Sequence, residues 1–335
     1  MLLGHTRQVE LVPVTADDVD LVGVYAATLQ AAEEVDGPAG KPYTPRAVAT
    51  EVRHGWDGEP PRVHLARSGG ENVGAVAIYA SSYDNLDLAY LDLVVHPAHR
   101  RTGHGARILE QAIGLCRADA RPLVLLEGWD SPALRGFAEA VGFPVKQVMV
   151  IRDQPVTGGA ERFAELRAEA EQHSAAYELV RIEGATPEDR LAGLVAATEA
   201  INDAPNDGLE YDDEVFSAER IRAYEQAQLA TGGRFRRVLA VHRETGEVAG
   251  HTVVLVDGEQ PRYAEQHDTT VLPSHRGHRL GLRLKADMLC WLAEVEPQLE
   301  VIRTANAESN DPMIAVNERL GYRIAGRRPV VQRRV

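Results

Sequence analysis

The chain has 335 residues, enough for two domains of ordinary size, and 44% of them are hydrophobic. Its formal net charge of −14 argues against general nucleic-acid binding, which needs a basic surface, and is compatible with a cationic substrate. No run of about 18 apolar residues is present, so no membrane-spanning helix is expected. Met1-Leu2-Leu3-Gly4-His5 turns polar too soon for a signal peptide, and Cys116 and Cys290 sit in helix-like apolar patterns. Two buried thiols in a reducing cytoplasm are the expectation.

Glu10 to Val14 reads as a strand, and Thr15 with Asp18 starts a helix that runs to about Gln30. Gly37-Pro38-Ala39-Gly40-Lys41-Pro42 reads as a loop, and Thr44-Pro45 opens a second helix that ends near Arg53. Strands follow at Val63–Arg67, Asn72–Ala80 and Ala89–Val95. A helix from Ala106 to Cys116, an apolar strand Pro122–Leu126, a helix capped by Ser131 and stopped by Gly142, and a strand Val145–Ile151 close the first half. Ala160 to Ala176, charged and Ala-rich, reads as a linker helix. The order then repeats. A strand Tyr177–Ile182, a helix capped at Thr186, a helix opened by Ser217, and strands Val238–His242, Glu247–Val256 and Ala264–Leu272 are followed by a helix Gly281–Glu294. A strand Glu300–Thr304, a helix Asn310–Leu320 and a strand Arg328–Arg333 complete it. Each half is β-α-α-β-β-β-α-β-α-β, which predicts mixed sheets with helices on their faces. The expected domains are 1–155 and 177–335, with 156–176 between them.

The organising stretch is the loop from Val95 to Ala106, rich in Arg, Gly and His and without an acidic residue. A strand that ends in such a loop and opens a helix makes an anion site, because the first amides of a helix lack internal partners and carry the positive end of its dipole. The loop recurs: Pro97, His99, Arg100 and Gly105 match Pro273, His275, Arg276 and Gly281, each at an offset of 176. Repetition at domain scale strengthens the reading.

The order of elements, with Arg-x-x-Gly-x-Gly between the fourth strand and third helix, resembles the GNAT superfamily of acyl-CoA-dependent N-acetyltransferases, as two tandem copies. The second loop, with Asn306–Asn310 and Asn317–Tyr322, is similar to actinobacterial tandem members. The resemblance implies an α+β fold built on a mixed sheet. It implies that amides of Arg100, Arg101, Thr102, Gly103, His104, Gly105 and Ala106, and of Arg276, Gly277, His278, Arg279, Leu280, Gly281 and Leu282, hold the pyrophosphate of acetyl-CoA. Val95 and Val271 would pair with the pantetheine arm, and Asn310 would bond it where the first copy has Ser131. Two departures stand out. Arg279 replaces the Gly103 of the first loop, and the family's general-acid Tyr is absent from both copies, with Ala138 and Asn317 in its place.

Acyl transfer to an amine needs a base, an oxyanion donor and an escape for the thiolate. Asp92 and Asp268 occupy matching positions three residues before Val95 and Val271 and are the first base candidates, with a structural hydrogen bond as the alternative. Glu265 and His267 are second choices. Asn317 is a candidate donor to the leaving sulfur, and a backbone amide of the fourth strand a candidate oxyanion donor. In the family the region of the acidic run from Asn202 to Glu214 closes over the acceptor, with a solvated acidic loop as the alternative here; Trp56 and Trp129 read as core packing, with lining of the first cleft as the alternative. His96, His99, His275 and His278 form two His-x-x-His spacings, but without a third ligand nearby no metal site is expected. The expected activity is acetyl transfer from acetyl-CoA to a small-molecule amine, with the second copy favoured. The alternatives are a non-catalytic CoA-binding protein with degenerate domains and a protein-lysine acetyltransferase. A monomer suffices for tandem copies, and a homodimer is equally compatible.

Overall fold

The computed structural model describes residues 8–38 and 42–335. Ala39, Gly40 and Lys41 of the predicted loop, and the Met1–His5 segment, lie outside the described residues. The chain divides into two compact units, residues 1–148 with 328–335, and residues 149–327.

Unit 1 is a sheet in the order β1(Glu10–Val14), β2(Arg62–Ser68), β3(Glu71–Tyr79), β4(Leu88–Val95), β5(Leu123–Glu127) and the end of β12(Arg323–Arg334). Its pairs are antiparallel except β4 with β5, which run parallel. Helices α1(Val19–Asp36) and α2(Pro45–His54) cover one face, and α3(His104–Ala118) and α4(Pro132–Val141) the other. Alternation along β4 sends Ala89 and Leu91 into the core under α3 and α4. Tyr90 and Asp92 therefore face α1 and α2.

Helix α1 runs six residues beyond the expected Gln30. Ala31-Ala32-Glu33-Glu34 are strong helix formers, and the chain stops where Gly37 donates its amide to the Glu33 carbonyl. That extension carries Asp36 to Arg100 and Glu33 to Trp129. Asp18, not Thr15, caps the helix by accepting from the Leu21 amide at 3.0 Å.

Unit 2 repeats the design. Its sheet runs β7(Tyr177–Glu183), β8(Arg234–His242), β9(Val248–Val256), β10(Tyr263–Val271), β11(Val301–Ala307) and the end of β6(Val145–Pro155). Helices α6(Glu188–Glu199) and α7(Ala218–Ala230) cover one face, and α8(Leu280–Val295) and α9(Asp311–Leu320) the other. Thr186 is not the helix cap that its sequence suggests. Its hydroxyl meets the buried Arg237 guanidinium, and its amide donates to Glu225 at 3.2 Å.

Both closing strands differ from the sequence reading. Residues 149–155 of β6 pair with β11, and residues 330–334 of β12 pair with β5. The strand that ends the chain thus belongs to unit 1. The helix read as a linker, α5(Ala160–Glu171), packs into unit 2, with Phe163 and Ala170 in the same core as α8. Arg283 of α8 fixes the turn after it, reaching the Ser174 carbonyl at 2.7 Å and Glu171 at 2.6 Å.

Candidate functional site

In unit 1, β4 and β5 stay paired only from Leu88–Leu123 to Leu91–Leu126. Beyond Leu91 the two strands part, which leaves one edge of Asp92 to Val95 open for an extended ligand to pair with. β4 then enters a short 3-10 turn, Pro97–His99, and the loop turns through two left-handed residues, Arg101 (φ 64°) and Gly103 (φ 84°). Helix α3 starts at once, and the bond from the Arg107 amide to the Gly103 carbonyl, 3.4 Å, is the first of its ladder. The amides before it have no partner within the helix and project at the parting strands.

Unit 2 reproduces this with one exchange. Its left-handed residues are Gly277 (φ 84°) and Arg279 (φ 56°), at the positions of Arg101 and Gly103. Both loops need two positive φ angles, and each gives one to Gly and one to Arg. The departure at Arg279 therefore keeps the backbone path. Its side chain turns away to Glu169, which also holds Arg319 at 2.6 Å. A Cβ at Gly281 would meet nothing within 4 Å, so the helix start faces open space.

The first arginine of each loop is a brace. Arg100 grips both oxygens of Asp36 at 2.7 and 2.6 Å and donates from Nε to the Val95 carbonyl at 3.1 Å. Arg276 likewise donates from Nε to the Val271 carbonyl at 3.1 Å and pairs with one oxygen of Asp203. Their guanidinium groups tie the end of the fourth strand to Asp36 at the end of α1 and to Asp203. The histidines are also engaged. His275 lies between the Tyr177 hydroxyl at 2.9 Å and Glu247 at 3.0 Å, and His96 accepts from the Ala98 amide at 3.3 Å. Among the described residues no group of three or more metal-ligating side chains converges.

A cavity of about 400 Å³ runs along α3 in unit 1, past Val95, Arg101, Thr102's neighbour Gly103, His104, Gly105 and Ala106 to Phe137, Trp129 and Glu127. Trp56, by contrast, lies 51% exposed and away from it. The unit 2 cleft is smaller, about 280 Å³, and is lined by Val271, Gly277, Arg279, Leu280, Gly281 and Leu282 with Val316 and Arg319 of α9. His278 stacks beside Tyr177, ring centroids 5.7 Å apart. Ser131 and Asn310 cap α4 and α9, accepting from the Leu134 and Met313 amides at 3.1 and 3.3 Å. Asn310 uses its Oδ1 for this cap, and its side-chain amide has two N–H donors besides.

On the other face of β4 lies a group that the sequence did not bring together. Asp92 shares it with Glu33, Glu51, Glu127, Tyr25, Tyr43, Tyr79 and Tyr90, and Arg328 is the cation among them. Arg328 pairs with Glu127 at 3.1 Å and sits over Trp129, whose indole donates to Glu33 at 2.7 Å. Burial pushes the Asp92 carboxyl up to about 6; Arg328 works against it, and Glu51, Glu127 and Glu33 add to it. The folded carboxyl holds its proton more tightly than the unfolded one. Its contribution favours folding below about pH 4 and is lost as pH rises through about 6. Asp92→Asn should therefore leave the melting temperature unchanged near pH 3 and raise stability above pH 6, by roughly 3 kcal/mol at most. A melting difference that does not grow with pH would contradict this placement.

Unit 2 puts its carboxylate on a bulge. β10 pairs Gln266 with Val254 and then Thr269 with Thr252, so His267 and Asp268 together oppose Val253. β10 leaves β11 just before this point, after the pair Glu265–Arg303. Bulges re-aim side chains and cluster beside active sites. β4 of unit 1 has no such shift against β3. Burial raises the Asp268 carboxyl, with His267 and Arg237 opposing. His267 bonds the Tyr224 hydroxyl at 2.5 Å, and Glu265 lies half exposed, 3.9 Å from the far nitrogen of His267.

Asn317 does not reach the cleft. It is fully buried, accepting from Lys285 and donating to Asn306, both at 2.7 Å. The acidic run is pinned to unit 2 as well. Asn202 brackets the Glu214 backbone with two 2.9 Å bonds, and Ser309 donates to Asp207 at 2.6 Å.

A mixed sheet parted between parallel neighbours, with an open helix start in the gap, is the frame of an acyl-CoA-dependent acyltransferase, and it occurs here twice. Residues 59–145 match the Acetyltransferase (GNAT) domain model and residues 199–322 the Acetyltransferase (GNAT) family model. The chain belongs to the GNAT superfamily, as a tandem of two such domains, and is an acyltransferase. It is 27% identical over 326 residues to a mycothiol acetyltransferase of Sanguibacter keddieii, covering 96% of this chain and 95% of that one. A solved tandem GNAT protein from the clavulanic acid biosynthesis pathway superposes with a TM-score of 0.78 at 27% identity, covering 97% of this chain and 98% of that one. A GCN5-related N-acetyltransferase from Sphaerobacter thermophilus shares the fold, with a TM-score of 0.68 at 15% identity and coverage of 97% and 95%. Among the described residues no helix is long and apolar enough to cross a membrane.

Proposed function

We propose that the protein transfers the acetyl group of acetyl-CoA to the primary amine of a small, cationic molecule by direct attack in a ternary complex, and that unit 2 carries the chemistry. The observation behind this reading is the bulge at His267-Asp268, set where β10 parts from β11 and three residues before Val271, which lines the cleft with Leu280. In this reading the amides of Gly277 to Leu282 hold the pyrophosphate. The freed edge of β10 up to Val271 pairs with the pantetheine arm, and Asn310 donates to it. The backbone at Asp268 offers an N–H to the carbonyl oxygen as charge develops there. The Asp268 carboxylate takes the proton that the attacking amine loses, with Glu265 helping to draw a cation towards it. The family and the relative named for acetyl transfer support acetyl as the group moved. A cytoplasmic setting, in which Cys116 and Cys290 stay reduced thiols, goes with this reading.

A second reading places the chemistry in unit 1. The larger cleft and the Asp92 carboxyl held near neutrality favour it, with four carboxylates facing the single guanidinium of Arg328 within that group. Thiol release from acetyl-CoA across a panel of amines tests the activity, with mono- and dicationic amines expected to turn over fastest. CoA binding without turnover on any amine would leave a binding protein instead. Asp268→Asn and Asp92→Asn separate the two readings.

A further inference from the structure

Helix α8 carries a lysine that nothing above uses. Lys285 is 2% exposed, and among the described residues its ammonium has one hydrogen-bond acceptor, Asn317 Oδ1 at 2.7 Å, with the Tyr322 ring 4.5 Å away. Among the described residues no carboxylate pairs with it. A buried ammonium without a counter-ion is costly, so its retention in a packed core calls for a reason.

The bonds fix the direction of a chain. Lys donates only, so Asn317 must turn Oδ1 to Lys285 and Nδ2 to Asn306 Oδ1, at 2.7 Å. Asn306 is thereby left with its Nδ2 as the free end of the chain. It stands on β11 three residues beyond Arg303, the last residue of β11 paired with β10, and is partly exposed there.

Unit 1 is an internal control. By the loop offset of 176, Lys285 corresponds to Leu109; by the offset of 179 that relates Gly142 to Gly321, Asn317 corresponds to Ala138 and Asn306 to Glu127. Leu109 and Ala138 lie in an apolar core. The same fold packs without the chain, so the chain is not a requirement of the fold.

We infer that Lys285, Asn317 and Asn306 form a polarised hydrogen-bond chain that ends on the gap between β10 and β11 and presents the Asn306 amide to the sulfur leaving acyl-CoA. This rests on the reading of unit 2 as catalytic. The amine nitrogen forms its bond to the carbonyl carbon, the C–S bond breaks, and its electron pair goes to sulfur. The nitrogen's proton goes to Asp268. The thiolate leaves hydrogen-bonded to Asn306 and takes its proton from water, and no proton passes through the carboxamides. Asn306 touches the leaving group; Lys285 is a positioning residue, whose charge draws Asn317, and through it Asn306, into line. The chain thus stands where the family's tyrosine is missing.

Burial lowers Lys285 from 10.5 to about 7, and the facing titratable group, Tyr322, is pushed up by burial and stays neutral. The chain should accordingly weaken as the ammonium loses its proton above neutrality. Lys285→Met tests this with the full chain, acetyl-CoA and the best amine of the panel. The native protein should show a kcat that falls on the alkaline side of neutrality; the variant should show a kcat lowered by about 10- to 100-fold at neutral pH, a KM for acetyl-CoA within about twofold, and no such limb. A kcat lowered equally at every pH, with the limb intact, would mean a packing role alone and overturn the inference. Asn306→Ala gives the same readout should Lys285→Met fail to fold, and native kcat in Asn306→Ala would also overturn it. If Asp268→Asn turns over like the native protein, the unit 2 reading fails and the chain's role with it. If Asp268→Asn is slow while Asn306→Ala is not, only the chain fails.

Discussion

Asp268→Asn should lower kcat for acetyl transfer by about 10²- to 10⁴-fold, the usual worth of a general base, with the KM for acetyl-CoA little changed. The substitution keeps size and removes only the ability to take a proton. It sits on the bulge of β10, whose pairing already skips at this point, so the ladder to β9 is undisturbed. The Asp268 carboxyl is raised by burial, so the rising acid limb of kcat/KM should lie above the ordinary carboxylate range and vanish in the variant. Asp92→Asn should alter turnover by less than about threefold. Steady-state thiol release at several pH values decides the matter. A slow Asp92→Asn beside a native-like Asp268→Asn would move the chemistry to unit 1.

Removing residues 328–335 should unfold unit 1 while leaving unit 2 cooperative. The lost segment gives β5 its outer partner from Glu127 to Leu123. It buries Val330 and Val331, and burial of a valine side chain is worth roughly 1.5–3 kcal/mol each. It also sends Arg333 to the Val141 carbonyl at 2.7 Å and over the Phe143 ring, and Arg328 to Glu127. Without it, Leu123-Val124-Leu125-Leu126 becomes a bare apolar edge, a template for aggregation. Against a total stability of about 5–15 kcal/mol, the loss is decisive. Hydrogen exchange should show β4 and β5 unprotected and β8 to β10 still protected. Native protection of β5 in the shortened chain would contradict the strand assignment. A fragment ending at residue 155, the domain limit that the sequence suggests, carries the same defect.

Much of the frame was legible because it rests on local chemistry. Gly103 and Gly277 mark left-handed turns that favour glycine. Ser131 and Asn310 announce helix starts through their own side chains. The 176-residue offset needed only counting. What stayed hidden depends on contacts remote in sequence. Arg328 lies about 200 residues from Glu127, and no pattern at either place indicates the pairing. Asp36 and Glu33 were lost with the last turns of α1. The pairing of Arg100 with Asp36 and of Arg276 with Asp203 was hidden for the same reason, since the carboxylates lie 64 and 73 residues away. Lys285 fell in a plain helical pattern, and only its burial made it a candidate.

Titration of the intact protein with acetyl-CoA by calorimetry tests the account at its centre, the grip of open helix starts on the diphosphate. A side chain at Gly105 would press on Phe137 and Val95, at 3.1 and 3.3 Å from its Cβ, and fill the mouth of the unit 1 cleft. Two sites per chain are expected, reduced to one in Gly105→Leu with the unit 2 site unchanged. No binding to the native chain, or two full sites surviving in Gly105→Leu, would contradict it.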